Sequence, residues 1–157
     1  MLKSIIALSF FILLAAPSFA DFVEVRDLNI PIDNITELEI EAGAGSLEIV
    51  GYENLTKIEV RAEIELEGVR KSDGPKYIDN YITLELYARG STARLEATTR
   101  DNSRGLFTLF SNRSEVINLL VKIPKNLKLD INDGSGDITI DNTTAGVMIS
   151  DGSGGIM

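Results

Sequence analysis

The 157-residue chain has no cysteine, no histidine and no tryptophan, and only 6% of it is aromatic. Without cysteine there is no disulfide, no thiolate metal ligand and no lipid-modified N-terminal cysteine. Stability outside the cell must then come from packing and strand pairing. Without histidine the commonest general base and transition-metal ligand are missing, so Ser-His-Asp catalysis and His-bearing zinc sites are excluded. Long apolar runs are scarce as well. The longest, Ile5–Ala16, has 12 residues, well short of the ~20 that a spanning helix needs. Lys3 precedes it, Pro17 breaks it, and Ser18-Phe19-Ala20 puts small residues where a signal peptidase reads. Residues 1–20 therefore read as a cleaved signal peptide and Asp21 as the mature N-terminus, with no transmembrane segment after cleavage. The expected destination is the periplasm or the cell surface.

Residues 21–157 are enough for one domain with a modest core. They carry 14 basic and 24 acidic residues, a net charge of −10, which repels nucleic acid and anionic lipid. Cations, basic proteins, divalent metals and surface glycans are the partners left open.

What is present is alternation. Thr36–Ala42 places Leu38 and Ile40 on one face and Glu37, Glu39 and Glu41 on the other; Ser46–Val50, Lys57–Leu66, Tyr81–Ala88 and Ala93–Thr98 repeat the pattern. Glu115–Pro124 reads as a more buried strand stopped by Pro124. Leu127–Asp133, Asp137–Asp141 and Gly146–Asp151 follow. Val69–Lys76 reads as a charged turn, and Thr99–Glu115 as a longer loop whose Leu106–Phe110 either tucks onto the core or forms a contact patch.

The alternation is also periodic. Asp133-Gly134-Ser135-Gly136 returns as Asp151-Gly152-Ser153-Gly154, a step of 18 residues that lays Leu129 on Val147, Ile131 on Ile149 and Ile138 on Ile156. Leu38, Ile40, Gly43, Gly45, Leu47 and Ile49 match Leu129, Ile131, Gly134, Gly136, Ile138 and Ile140. The unit is two short apolar-x-apolar strands around a Gly-small-Gly corner, which cannot bury its own apolar residues and must stack on its neighbours. The expected fold is all-β: a β-solenoid or β-roll-like stack with rungs of about 18 residues, over residues 127–157 and an earlier pair of layers over 35–66. Gly43, Gly45, Gly134, Gly136, Gly152 and Gly154 are its structural turns. Spacing excludes a phosphate loop, a dinucleotide fingerprint and a nucleophile elbow, since Gly134-Ser135-Gly136 opens a strand and no helix follows.

Val121-Lys122-Ile123-Pro124 and Ser135-Gly136-Asp137-Ile138, with Gly45-Ser46-Leu47 as a looser copy, resemble the bacterial putative-adhesin β-repeat family related to the GIN head domain of auto-transporter adhesins. That resemblance implies an exported stack of strands with no catalytic residues to carry over. Its members usually continue with further repeats, whereas this chain stops at Met157 partway through a rung, as a truncated chain would.

Asp133, Asp137 and Asp151 flank the corners, and stacked rungs would align them ~5 Å apart, a spacing at which carboxylates can bind Ca²⁺. The opposing explanation is turn chemistry, in which Asp bonds to nearby backbone. No other cofactor is indicated. The expected function is a non-catalytic adhesion or scaffolding module. A divalent-cation or glycan-binding module using the acidic turns is the alternative. A polysaccharide-acting enzyme is third, with Lys122, Lys125 and Lys128 as candidate contacts for an acidic glycan.

Overall fold

The computed structural model describes residues 22–100 and 114–157; the signal-peptide region and most of the Thr99–Glu115 loop lie outside them. Ten strands and one helix follow in the order β1 (Phe22–Pro31), β2 (Glu37–Ala44), β3 (Leu47–Tyr52), β4 (Lys57–Glu67), α1 (Gly74–Tyr81), β5 (Ile82–Arg89), β6 (Thr92–Thr99), β7 (Ser114–Pro124), β8 (Lys128–Ser135), β9 (Ile138–Asp141) and β10 (Val147–Asp151). They form two five-stranded sheets, β1-β4-β7-β3-β9 and β10-β8-β2-β6-β5. Alternation sends one set of side chains from each sheet into a single core, including Leu38, Ile40 and Leu95 from one sheet and Ile49, Ile64 and Val121 from the other.

Both sheets are mixed, which corrects the expectation of a solenoid along the whole chain. β4 pairs antiparallel with β1 and with β7, and β5 pairs antiparallel with β6. In particular, 35–66 is not a pair of stacked layers, because β7 lies between β3 and β4. The 18-residue register does appear at the other side of the molecule. β8 runs parallel between β2 and β10 with Leu129 beside Leu38 and Val147, and Ile131 beside Ile40 and Ile149. In the facing sheet Ile138 stands beside Leu47 and, through an isolated bridge, Ile156. These are the pairs that the repeat alignment matches.

The corners explain why glycine is required. Gly45, Gly136 and Gly154 hold positive φ of 137°, 141° and 153°. A Cβ on Gly136 would sit 1.8 Å from the Gly45 carbonyl oxygen, and one on Gly154 would sit 1.7 Å from that of Gly136. Hydrogen bonds continue around the bend, from the Gly45 amide to the Ser135 carbonyl (3.1 Å) and from the Gly136 amide to the Ser153 carbonyl (3.0 Å). At the first corner β7 takes the place of a preceding rung: the Ile117 carbonyl fills the space beside Gly45, and Asn118 Oδ1 accepts from the Ser46 amide at 3.0 Å.

Two elements depart from the sequence expectation. β1 precedes the first alternating stretch recognised in the sequence, because its half-buried face carries Glu24 and Arg26, which pair with each other at 2.7 Å. Val69–Lys76 is a turn only in its first part. Pro75 opens α1, with a fixed φ suited to a first helical turn. The helix buries Ile78, lays Gly74 against the Phe22 ring, and places Asp79 3.2 Å from Arg26.

Gly136→Ala should cost roughly 3 kcal/mol or more, since the added methyl meets backbone at a positive φ. Gly146→Ala, with nothing within 4 Å of the new Cβ, should be neutral or stabilise by up to ~1 kcal/mol. Paired thermal melts of the two variants check the contrast; equal losses would contradict it.

Candidate functional site

The acidic corner is assembled by β8, β10 and the turns after them. Strand parity places Asp133 on the inward face with Leu129 and Ile131, and it is only 3% exposed. Its register neighbours are Ala42 on one side and Asp151 on the other. Neither Asp133 carboxylate oxygen has a hydrogen-bond partner. Burial, reinforced by the Asp151 charge and only partly offset by the Gly134 amide, pushes the Asp133 carboxyl up to about 6 from an ordinary 3.8.

The other two acidic residues do something different. Asp137 is exposed, and its Oδ1 accepts the Gly155 amide of the following rung at 3.0 Å. Asp151 Oδ1 accepts the Ser153 amide at 3.2 Å, a local turn of the kind Asp favours. Among the described residues no three acidic side chains are grouped to hold a metal ion. Of the Ca²⁺ candidates, Asp133 and Asp151 are register neighbours, while Asp137 lies past the corner against the Gly155 amide. Lys122, Lys125 and Lys128 are not beside the acidic corner. Lys122 pairs with Val50 and Lys128 opens β8, both at the strand ends away from the glycines, while Lys125 is ion-paired to Glu53.

Two polar faces lie outside the core, and neither is evident from single strands. On the β2 sheet, Arg94 of β6 reaches across to Glu39 at 3.2 Å and to Glu41, with Asp130 and Asn132 of β8 in the next row. On the β4 sheet, Asp27, Lys57, Glu59, Arg61 and Lys122 line a shallow groove beside Leu120. There Arg61 pairs with Asp27 at 3.4 Å and Lys57 with Glu59 at 2.7 Å. The Lys57 hydrogen bond, with a smaller contribution from the Lys122 charge, holds the Glu59 carboxyl below the usual range.

The strand ends opposite the glycine corners carry a signal in the sequence that goes with this geometry. Asp33-Asn34-Ile35-Thr36, Glu53-Asn54-Leu55-Thr56 and Asp141-Asn142-Thr143-Thr144 share one pattern. Their asparagines all hold positive φ (65°, 60° and 54°), a conformation asparagine tolerates better than most residues. The three Asn-x-Thr sequences thus coincide with turns that call for asparagine.

The fold and its faces define an all-β, two-sheet protein with glycine-cornered strands stacked in parallel at one end. No protein-family model and no curated protein matches the sequence. Among solved structures, a putative cell adhesion protein from Clostridium sporogenes is similar in fold, with a TM-score of 0.50 and 11% identity over 84% of this chain and 58% of that one. A putative lipid binding protein from Parabacteroides distasonis aligns at a TM-score of 0.40 with 15% identity, over 76% of this chain and 41% of that one. A putative adhesin from Bacteroides fragilis aligns at 0.34 with 11% identity, over 85% and 56%. The chain therefore spans less than two thirds of the length of each. Among the described residues no helix is long and apolar enough to cross a membrane.

The raised Asp133 value fixes a sign. The folded state binds this proton more tightly than the unfolded chain, so Asp133 weakens the fold progressively as pH rises through about 4 to 6. The full effect above that window is at most about 3 kcal/mol, since solvent screening reduces it. Asp133→Asn should flatten this part of the pH–stability curve in urea titrations; an unchanged slope would contradict the assignment. Adding Ca²⁺ should leave the melting temperature unchanged. A Ca²⁺-dependent rise that Asp133→Ala together with Asp137→Ala abolishes would establish the metal site.

Proposed function

We propose that this chain is an exported, non-catalytic module that acts by display, as an adhesion or scaffolding unit of the bacterial cell envelope. The observation that carries this is the fold shared with the Clostridium sporogenes protein described as a putative cell adhesion protein. Composition supports it: the leader-like residues 1–20 point to export, and the lack of histidine removes the commonest general base. We further read the arcs 37–52, 128–141 and 147–156 as successive rungs of a solenoid-like stack. Stacked rungs hold outward side chains in rows ~5 Å apart, a rigid presentation suited to a partner that is itself repetitive, such as a surface glycan or a protein. The cluster of Glu39, Arg94, Asp130 and Asn132 on the outer face offers a polar surface for such a contact.

Protease shaving of intact cells tests this reading. Digestion of the natural full-length protein without lysis is the expected result. Protection until the outer envelope is opened would place the protein in the periplasm and remove adhesion, leaving scaffolding or small-ligand binding.

A further inference from the structure

Among the described elements α1 alone lies outside the two sheets, and its eight residues hold two of the four tyrosines in the chain. Helical spacing sorts its side chains. Gly74 and Ile78, four residues apart, are buried. Asp73, Lys76, Tyr77, Asn80 and Tyr81 recur at spacings of three and four and share the other side. Together with Arg70 of the preceding turn they line a pocket of about 310 Å³. That volume is at the lower end for ligand pockets, ~300–1,000 Å³, so the pocket takes a short stretch of a ligand.

The helix that forms this pocket is tied down from several sides. The Tyr77 hydroxyl donates to Glu115 of β7, Arg26 of β1 reaches Asp79 at 3.2 Å, and Arg100 Nη1 donates to the Asp79 carbonyl at 3.0 Å. The Tyr77 and Tyr81 rings lie 4.7 Å apart between centroids with 46° between their planes. They make a corner of two aromatic faces rather than a flat stack, and Tyr81 is 37% exposed. Polar groups surround the corner. Arg70 is held by Asp73 at 2.8 Å. The Lys76 ammonium and the Asn80 amide are exposed and, among the described residues, have no hydrogen-bond or ion-pair partner. Residues 69–76 carry three basic side chains against one acidic one, a local positive excess on a chain of net charge −9.

We propose that this pocket binds an acidic sugar of a glycan, a pyranose ring that bears a carboxylate. A pyranose has an apolar C–H face and a rim of hydroxyls. The C–H face packs on the tyrosine corner, the Asn80 amide and the Asp73 carboxylate reach the hydroxyls, and Lys76 meets the sugar carboxylate. An acidic peptide would satisfy Lys76 but has no hydroxylated ring to lay in the corner. The inference rests on the display reading and deepens it by naming the partner's chemistry and the place of contact. α1 leads into β5, the strand furthest from the stacked rungs in its sheet, so the pocket is built apart from the glycine corners.

Calorimetric titration of the purified natural full-length protein with oligogalacturonate, at low and moderate salt, tests the proposal. The expected result is binding that weakens as salt rises, with a neutral maltooligosaccharide binding far less. Tyr81→Ala should weaken binding by about tenfold or more. Lys76→Gln should lower both the affinity and its salt dependence while keeping the wild-type circular dichroism spectrum, and it carries the test by itself if Tyr81→Ala disturbs the helix. Lys128→Gln, which removes a basic side chain at the start of β8, should change neither quantity. Absence of oligogalacturonate binding, equal binding of the neutral oligosaccharide or of polyglutamate, or a loss from Lys128→Gln that matches the loss from Lys76→Gln would each overturn the site. Because the purified protein is titrated, these results stand apart from surface exposure, which shaving of intact cells reads.

Discussion

Close contact of backbone with backbone at the glycine corners is the constraint on which the rest depends. The carbonyl of Gly45 occupies the position a side chain on Gly136 would need, and the carbonyl of Gly136 does the same to Gly154. With no Cβ in the way, successive arcs approach to hydrogen-bonding distance through the bend as well as along the strands. Apolar columns such as Leu38–Leu129–Val147 then fall into line. The core is continuous because the turns are thin.

That constraint also accounts for the unusual position of Asp133. The glycine column brings β8 close to β2 and β10, and parity sends the third inward side chain of β8 into the interior beside Ala42 and Asp151. A carboxylate with no partner, 3% exposed, opposes the stability that the stacking supplies. Its elevated pKa follows mainly from this loss of solvent.

Much of this was legible in the sequence, and the exceptions have physical causes. The repeated unit identifies the register of β2, β8 and β10, because matching columns of apolar residues and glycine must coincide for the corners to close. It does not reveal that β4 and β7 enter one sheet antiparallel, since alternation fixes which face a residue takes and not which strand lies beside it. β1 was hidden by Glu24 and Arg26 on its half-buried face, where an ion pair replaces apolar side chains. The eight-residue α1 was hidden by Gly74-Pro75, which mark a turn as readily as a first helical turn. At the acidic corner, the sequence offered both turn chemistry and a Ca²⁺ site for Asp133, Asp137 and Asp151. Parity puts Asp151 in register with Asp133, on the column of 129, 131 and 133, while Asp137 lies past the corner.

The stacked register is the central claim, and the absence of cysteine makes it directly testable. Asn132 and Ser150 are register neighbours on the outer face of β8 and β10, at a strand spacing that suits a disulfide. The pair Asn132→Cys and Ser150→Cys should oxidise readily in the folded protein and raise its melting temperature. Asn132→Cys with Met148→Cys, displaced by two residues, should cross-link poorly. Equal cross-linking of both pairs, or none in the first, would show that the rungs do not stack in this register.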